Sequence, residues 1–248
     1  MRNIKLVIAY DGTDYSGWQR QPDRRTVQQE LEDALRQLTG VAPATNASGR
    51  TDAGVHALGQ VVHFFTGSSL SPDVFVRALN ATLPRDVRIL SAEAMPQSFH
   101  ATIDAKRKLY RYVIDNGRHA DPFRIRYADH IYHPLDIDAM NRAARALIGR
   151  HDFHSFETNW PNRTSSVRTV TRLEISRHGD EIRVEIEADG FLYNMVRSIT
   201  GTLVLVGLGR RPEAWVGQAL AAENRSAAGP TAPPQGLYLV RVDYGDLR

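Results

Sequence analysis

The chain has 248 residues, 42% hydrophobic and 24% charged, enough for one large domain or two fused halves with a sizeable core. It contains no cysteine, which excludes disulfides, thiolate catalysis and cysteine-ligated zinc or iron–sulfur clusters and leaves any catalysis to carboxylates, histidines, hydroxyls or a cofactor. The formal charge of +3, from 31 Lys and Arg against 28 Asp and Glu, hints only weakly at a polyanionic partner; with no signal-like segment and no apolar run near the roughly 20 residues of a membrane span, a cytoplasmic location is expected.

In chain order, Ile4, Leu6, Ile8 and Tyr10 alternate as a half-buried strand does. Thr26 and Gln29 form a capping-box pattern ahead of Val27, Leu31, Ala34, Leu35 and Leu38 at helical spacing, and Gly40 closes that helix. A short strand over Ala44–Gly49, a second over Val61–Thr66, a helix opened by Ser71 and Pro72, and a strand over Val87–Ala92 complete the order β-α-β-β-α-β, the ferredoxin-like signature.

The second half repeats that order. Lys106–Asn116 reads as a strand, and Asp136 caps a helix carrying Ile137, Met140, Ala144, Leu147 and Ile148. Val167–Ile175 and Ile182–Ala188 form a hairpin about His178-Gly179-Asp180, followed by helices over Phe191–Val206 and Pro212–Ala222 and a strand over Leu237–Tyr244. Ser226–Gly236, rich in Ala, Pro and Gly, reads as a surface loop or lid. The expected fold is α+β, with halves 1–104 and 105–248 joining mainly antiparallel sheets about a central cleft.

One segment stands out chemically. In ASGRTDAGVHALGQVVHF, Ala47–Phe64, a loop with Gly49 before it and Gly54 after Ala53 places Asp52 in a tight turn, two positions from Arg50. Taken alone, the aspartate could simply accept turn hydrogen bonds and pair with Arg50. His56 with His63 and His151 with His154 invite a metal, yet no carboxylate stands at a metal-motif spacing, and no metal is expected. Neither G-x-x-x-x-G-K nor G-x-G-x-x-G occurs, which removes the common nucleotide cofactors.

The segment resembles the catalytic loop of the tRNA pseudouridine synthase A family, whose G-R-T-D-A-G-V-H-A and G-Q-V-V-H-F are matched by Gly49–Ala57 and Gly59–Phe64. Further similar blocks follow the family order: Tyr10–Gln21, Phe99-His100-Ala101 with Lys108–Tyr112, His151-Asp152-Phe153, Phe191–Arg197 and Gly236–Leu239. The resemblance implies the pseudouridine synthase fold, isomerisation of uridine to pseudouridine at positions 38, 39 and 40 of the tRNA anticodon stem-loop, no cofactor or metal, and a homodimer.

It also implies roles. Asp52 is the essential catalytic residue; attack on C1′, addition to the base and removal of the 2′ proton all remain open. Arg50 is either a surface charge or a residue that holds a flipped nucleotide. Arg197, in an otherwise apolar helical run, pairs with Asp52 or faces solvent on an amphipathic helix. Tyr110 is a core aromatic by periodicity and a stacking platform by resemblance. Leu237 and Leu239 either close the other side of the base or serve as strand core. Arg20, Arg24, Arg25, Lys106–Lys108, Arg163 and Arg168, interleaved with aromatics such as Trp160, suit an RNA backbone, although each is equally a solvated charge. A non-catalytic RNA-binding module leaves the glycine-framed Asp52 unexplained, and a glycoside hydrolase needs a second carboxylate that the motif lacks.

Overall fold

A computed structural model describes residues 1–158 and 165–245, so Trp160 and Arg163 lie outside the described residues. The chain forms two compact units, one of residues 1–106 with the C-terminal residues from Tyr238, the other of Arg107–Leu237. Each contains a mixed, mostly antiparallel sheet with helices.

In the first unit, β1 (Arg2–Tyr10) pairs antiparallel with β3 (His56–Thr66) on one side and β4 (Val87–Met95) on the other. The alternation read in the sequence sets the register: Ile4 lies opposite Phe64 and Leu6 opposite Val62, all fully buried. Helix α1 (Val27–Thr39) buries Val27, Leu31 and Leu35, and α2 (Pro72–Thr82) buries Phe75 and Leu79, with the Phe75 ring edge-on to Phe64 at 5.6 Å. Each such fully buried side chain contributes roughly 1.5–3 kcal/mol. Val61, Phe99, Ala101 and Tyr244 form a separate cluster, tied by the Tyr244 hydroxyl to the Ala101 carbonyl at 2.7 Å.

Two local expectations change here. The short strand over Ala44–Gly49 contracts to β2 (Asn46–Ala47). Thr26 is the N-cap by backbone angle, but its side chain does not cap the helix: it is fully buried and its hydroxyl has no hydrogen-bond partner. The capping box is replaced by Glu32, which is buried and accepts from Gln28 Nε2 and from Thr45 N and Oγ1, fastening the helix to the chain entering β2. Gly40 ends the helix as expected, at φ 78°.

In the second unit the antiparallel order is β5 (Arg107–Asp115), β9 (Glu181–Ala188), β8 (Val167–His178) and β7 (Gly149–Asp152), while β6 (Asp129–His130) pairs parallel with β5. The hairpin turn is shorter than expected because β8 runs through His178, leaving Gly179 at φ 64°. Asp136 caps α3 (Ile137–Ala144) by accepting from Ala139 N at 2.9 Å; the chain then tightens into a 3-10 turn over Arg145–Leu147, so Ile148 is extended and exposed, not helical.

Helix α4 (Met195–Gly207) begins later than the apolar run from Phe191 suggests, because Asn194 adopts φ 62° and breaks helical geometry immediately before it. Helix α5 (Ala214–Ala221) follows. Ser226–Gly236 is a strap bound to α4. A Cβ at Gly201 would lie 1.9 Å from the Pro230 carbonyl oxygen, Gly229 N donates to Thr202 Oγ1, and Ala232 N donates to the Arg197 carbonyl. The final strand, β10 (Leu237–Asp243), lies parallel to β3 with Tyr238 beside His56 and Leu239 beside Ala57. No helix among the described residues is long and apolar enough to cross a membrane.

Candidate active site

Asp52 is half-buried in the turn that leads into β3, and its own main-chain carbonyl accepts from Val55 N at 3.1 Å. The Tyr10–Gln21 block, to which spacing assigned no task, is the cradle of this turn. Trp18 N donates to the Thr51 carbonyl at 3.0 Å and Gly54 N to the Tyr15 carbonyl at 3.3 Å. The Tyr10 hydroxyl meets Thr51 Oγ1 at 2.7 Å, and burial pushes that phenol up to about 12, keeping it protonated at neutral pH.

Glycine is required by contact as well as by angle. Gly54 has φ 76°. Gly17 has φ 90°, and a Cβ there would lie 2.6 Å from the Thr51 carbonyl oxygen; at Gly12 it would lie 2.0 Å from that of Val55. From the other side, Gln60 Nε2 donates to the Gly49 carbonyl at 2.8 Å while its Oε1 accepts from Ser48 Oγ at 2.6 Å. The backbone that carries Asp52 is therefore fixed on both flanks, which is how a carboxylate is pre-positioned for a reacting atom. Arg50, by contrast, is exposed and makes no side-chain hydrogen bond among the described residues.

The histidines of the motif have structural tasks. His56 is buried, accepts from Gly12 N at its Nδ1 (3.0 Å) and stacks on Tyr238 with ring centroids 4.8 Å apart. His63 accepts from Ala101 N at its Nδ1, and burial holds its pKa below the ordinary value. For His63, the accepting ring nitrogen is an unprotonated one. No group of three potential metal ligands occurs among the described residues.

Arg25 is engaged within the protein. Its guanidinium pairs with Glu30 at 2.9 Å and Asp86 at 3.1 Å and lies 4.2 Å from the Tyr15 ring centroid, and Tyr15 donates to Asp86 at 2.6 Å. Its side chain props Tyr15, whose carbonyl holds Gly54, so Arg25 reaches a phosphate only by giving up these carboxylates. Arg24 is exposed and makes no side-chain hydrogen bond among the described residues.

In the second unit, strand period puts Lys108, Tyr110 and Tyr112 on one face of β5. Tyr110 is 8% exposed, with its ring edge-on to Phe191 at 4.9 Å, and Tyr112 donates its hydroxyl to the Pro233 carbonyl at 2.7 Å, anchoring the strap. Arg197 is half-buried. Its Nε donates to the Ala232 carbonyl at 2.7 Å and its Nη1 to Asn194 Oδ1 at 2.8 Å, so the guanidinium is oriented by the strap and by the residue before the helix. Leu237 and Leu239 are both buried, Leu239 completely.

Arg168 donates to the Ser165 and Val167 carbonyls and packs on Gly190, where a Cβ would lie 3.4 Å from its Nε. Burial, and after it the charge of Arg168, push Lys108 down from 10.5 to about 8. Between those two values the unfolded chain binds more protons than the folded one, so stability rises with pH across that window and the burden of charging Lys108 is full below about 8. Arg168→Gln should move the Lys108 titration back toward the ordinary lysine value, read from its side-chain carbon shifts by NMR; an unmoved titration would dissociate the two cations.

A family model described as tRNA pseudouridine synthase matches residues 6–104 and 143–245. The tRNA pseudouridine synthase A of Brevibacillus brevis is 50% identical over 244 residues, covering 98% of this chain and 100% of that protein. That of Thermoanaerobacter sp. is 46% identical over 244 residues, with 98% and 100% covered, and that of Ralstonia nicotianae 46% identical over 250 residues, with 99% and 91% covered. With matches spanning both units, and with the Gly49–Ala57 turn inside the first matched segment, the chain belongs to the tRNA pseudouridine synthase family.

Proposed function

We propose that this protein isomerises uridine to pseudouridine at positions 38, 39 and 40 in the anticodon stem-loop of tRNA, with Asp52 as the essential carboxylate and no cofactor. The observation that carries the reading is the fixed turn: a half-buried aspartate whose neighbours are held by Trp18, Tyr10, Tyr15 and Gln60 from both flanks. Such a carboxylate is placed for chemistry at the C1′–base junction, whichever of its three modes of action it uses.

In this reading, Arg197 balances the Asp52 charge, Tyr110 stacks on the target base with Leu237 or Leu239 opposite, and Arg50 holds the extruded nucleotide. The fold reading is of two ferredoxin-like halves, 1–104 and 105–248, and the working form is a cytoplasmic homodimer.

The test is release of hydrogen from C5. A tRNA labelled at C5 of its anticodon-arm uridines should lose label in step with pseudouridine formation, because the new glycosidic bond is made at that carbon; retention of the label would end the proposal. Phosphate contacts are tested separately. Arg24→Ala and Arg168→Ala should each reduce the salt slope of tRNA binding by about 0.7 to 0.9 while leaving the single-turnover rate at saturation nearly intact. Unchanged slopes would remove both from the RNA path. Arg25→Ala should instead lower the melting temperature, since it dismantles the Tyr15 prop.

A further inference from the structure

Asn194 has an unusual backbone and both ends of its side chain occupied. Its φ of 62° lies in the left-handed region, which asparagine and glycine tolerate and most residues do not. Its carbonyl accepts from Ser198 N at 2.9 Å, opening α4. Its side-chain Oδ1 accepts from Arg197 Nη1 at 2.8 Å, and its Nδ2 donates to Thr158 Oγ1 at 3.0 Å. Thr158 is itself fixed, since its N–H donates to the Tyr193 carbonyl at 3.1 Å.

Helical geometry explains why a side chain is needed there. Arg197 sits on the first turn of α4, where a long flexible stem has many rotamers of similar energy, and the Ala232 carbonyl holds only Nε. A bond at Nε alone does not set the plane of the fork. A second bond at Nη1 fixes its plane, and because Asn194 is itself tethered through Nδ2, that bond has little freedom of its own.

We propose that Asn194 is a positioning residue for Arg197, setting the plane of the guanidinium that faces the reaction through an amide clamped between Arg197 and Thr158. The proposal rests on the reading of Arg197 as the basic partner of Asp52. It also gives the left-handed residue its purpose: a helical φ at 194 would redirect the amide away from Arg197, so the late start of α4 belongs to the site.

The experiment uses four proteins: Asn194→Gly, Asn194→Asp, Arg197→Met, and the double variant of Asn194→Gly with Arg197→Met. Glycine keeps the left-handed backbone and deletes the clamp, and aspartate restores an acceptor for Nη1. Single-turnover rates on C5-labelled tRNA should fall between about tenfold and 10²-fold for Asn194→Gly, with tRNA affinity within about threefold and with most of the rate recovered in Asn194→Asp. In the Arg197→Met background, Asn194→Gly should cost less than about twofold more, since there is no guanidinium left to orient.

Two results overturn the proposal alone: an impaired Arg197→Met with an unimpaired Asn194→Gly, or losses that multiply in the double variant. A fully active Arg197→Met overturns the role of Arg197 and the proposal with it. Should Asn194→Gly melt well below the unaltered protein, the Nη resonances of Arg197 decide: they stay resolved in the Asn194→Asp variant if the clamp orients the fork, and average together if it does not.

Discussion

Asp52→Asn should form no detectable pseudouridine yet bind tRNA within about tenfold of the unaltered protein, because phosphate and stacking contacts are expected to carry the binding. Asparagine is nearly isosteric, and the bonds that Tyr10, Tyr15, Trp18 and Gln60 make to the turn reach main-chain atoms of Gly49, Thr51 and Gly54 or the Thr51 hydroxyl, atoms the substitution does not change. Stability should therefore change by no more than about 1 kcal/mol. What disappears is the ionised carboxylate, and loss of a group that bonds to or deprotonates the substrate costs at least about 10⁴-fold. Quantifying pseudouridine by mass spectrometry of tRNA digests, beside a filter-binding titration, reads both quantities. Near-normal modification by the variant would remove Asp52 from the chemistry and leave an RNA-binding role for the turn.

A smaller but still large loss, reached by a different route, is expected from Gly12→Ala. The added methyl carbon would lie 2.0 Å from the Val55 carbonyl oxygen and 2.6 Å from its carbon, so main chain must move against main chain just after the turn bearing Asp52. Overpacking against backbone is expected to destabilise by about 3 kcal/mol. A displacement near 1 Å at Asp52 would lower turnover by about 10²-fold in the molecules that remain folded. Gly40→Ala is the matched control. Its φ of 78° is strained for alanine, but the added carbon meets open space, so the expected loss is about 1 kcal/mol with activity kept. Melting curves and single-turnover rates separate the two; equal melting temperatures and rates for Gly12→Ala and the unaltered protein would show that the cradle yields without consequence.

Much of the fold was legible wherever one side-chain period runs unbroken. Ile4, Leu6 and Ile8 point into the core of β1, and Val27, Leu31 and Leu35 line α1, because burial on one face is what imposes those spacings. Reading failed where a local pattern was overruled by something distant in the chain. Thr26 and Gln29 have the right letters for a capping box, but the hydroxyl is sealed in and Glu32 makes the fastening toward Thr45. Phe191–Met195 is as apolar as a helix start, and only the backbone angle of Asn194 marks it as something else.

The site shows the same division. Asp52, Arg50 and Arg197 are singled out by the resemblance of their segments to a family, since an aspartate in a glycine-framed turn or an arginine in an apolar run has by itself an ordinary structural reading as well. The support of the Asp52 turn has no such signal, since Trp18 to Thr51 and Tyr15 to Gly54 are main-chain bonds between distant segments that leave no spacing to read. Arg25 looked like any exposed basic residue next to Arg24. Its commitment to Glu30, Asp86 and Tyr15 depends on α1 and on the residues just before β4 meeting the same ring.

The return of β10 to the first unit has a consequence for biosynthesis. Residues 1–106 leave the ribosome first, yet the strand that lies beside β3 and puts Tyr238 on His56, with the Asp243 carbonyl that receives Lys106 N, is translated only after all of residues 107–237. Arg107–Leu237 is continuous and can complete itself as it emerges, whereas the unit that carries Asp52 keeps an unfilled strand position until β10 is translated. Joining ends so far apart in sequence is the slow, high-contact-order step of folding. The nascent chain should therefore complete the unit bearing the Asp52 turn last, and a polypeptide released early, for instance at Gly236, should hold a folded second unit beside a first unit that cannot close.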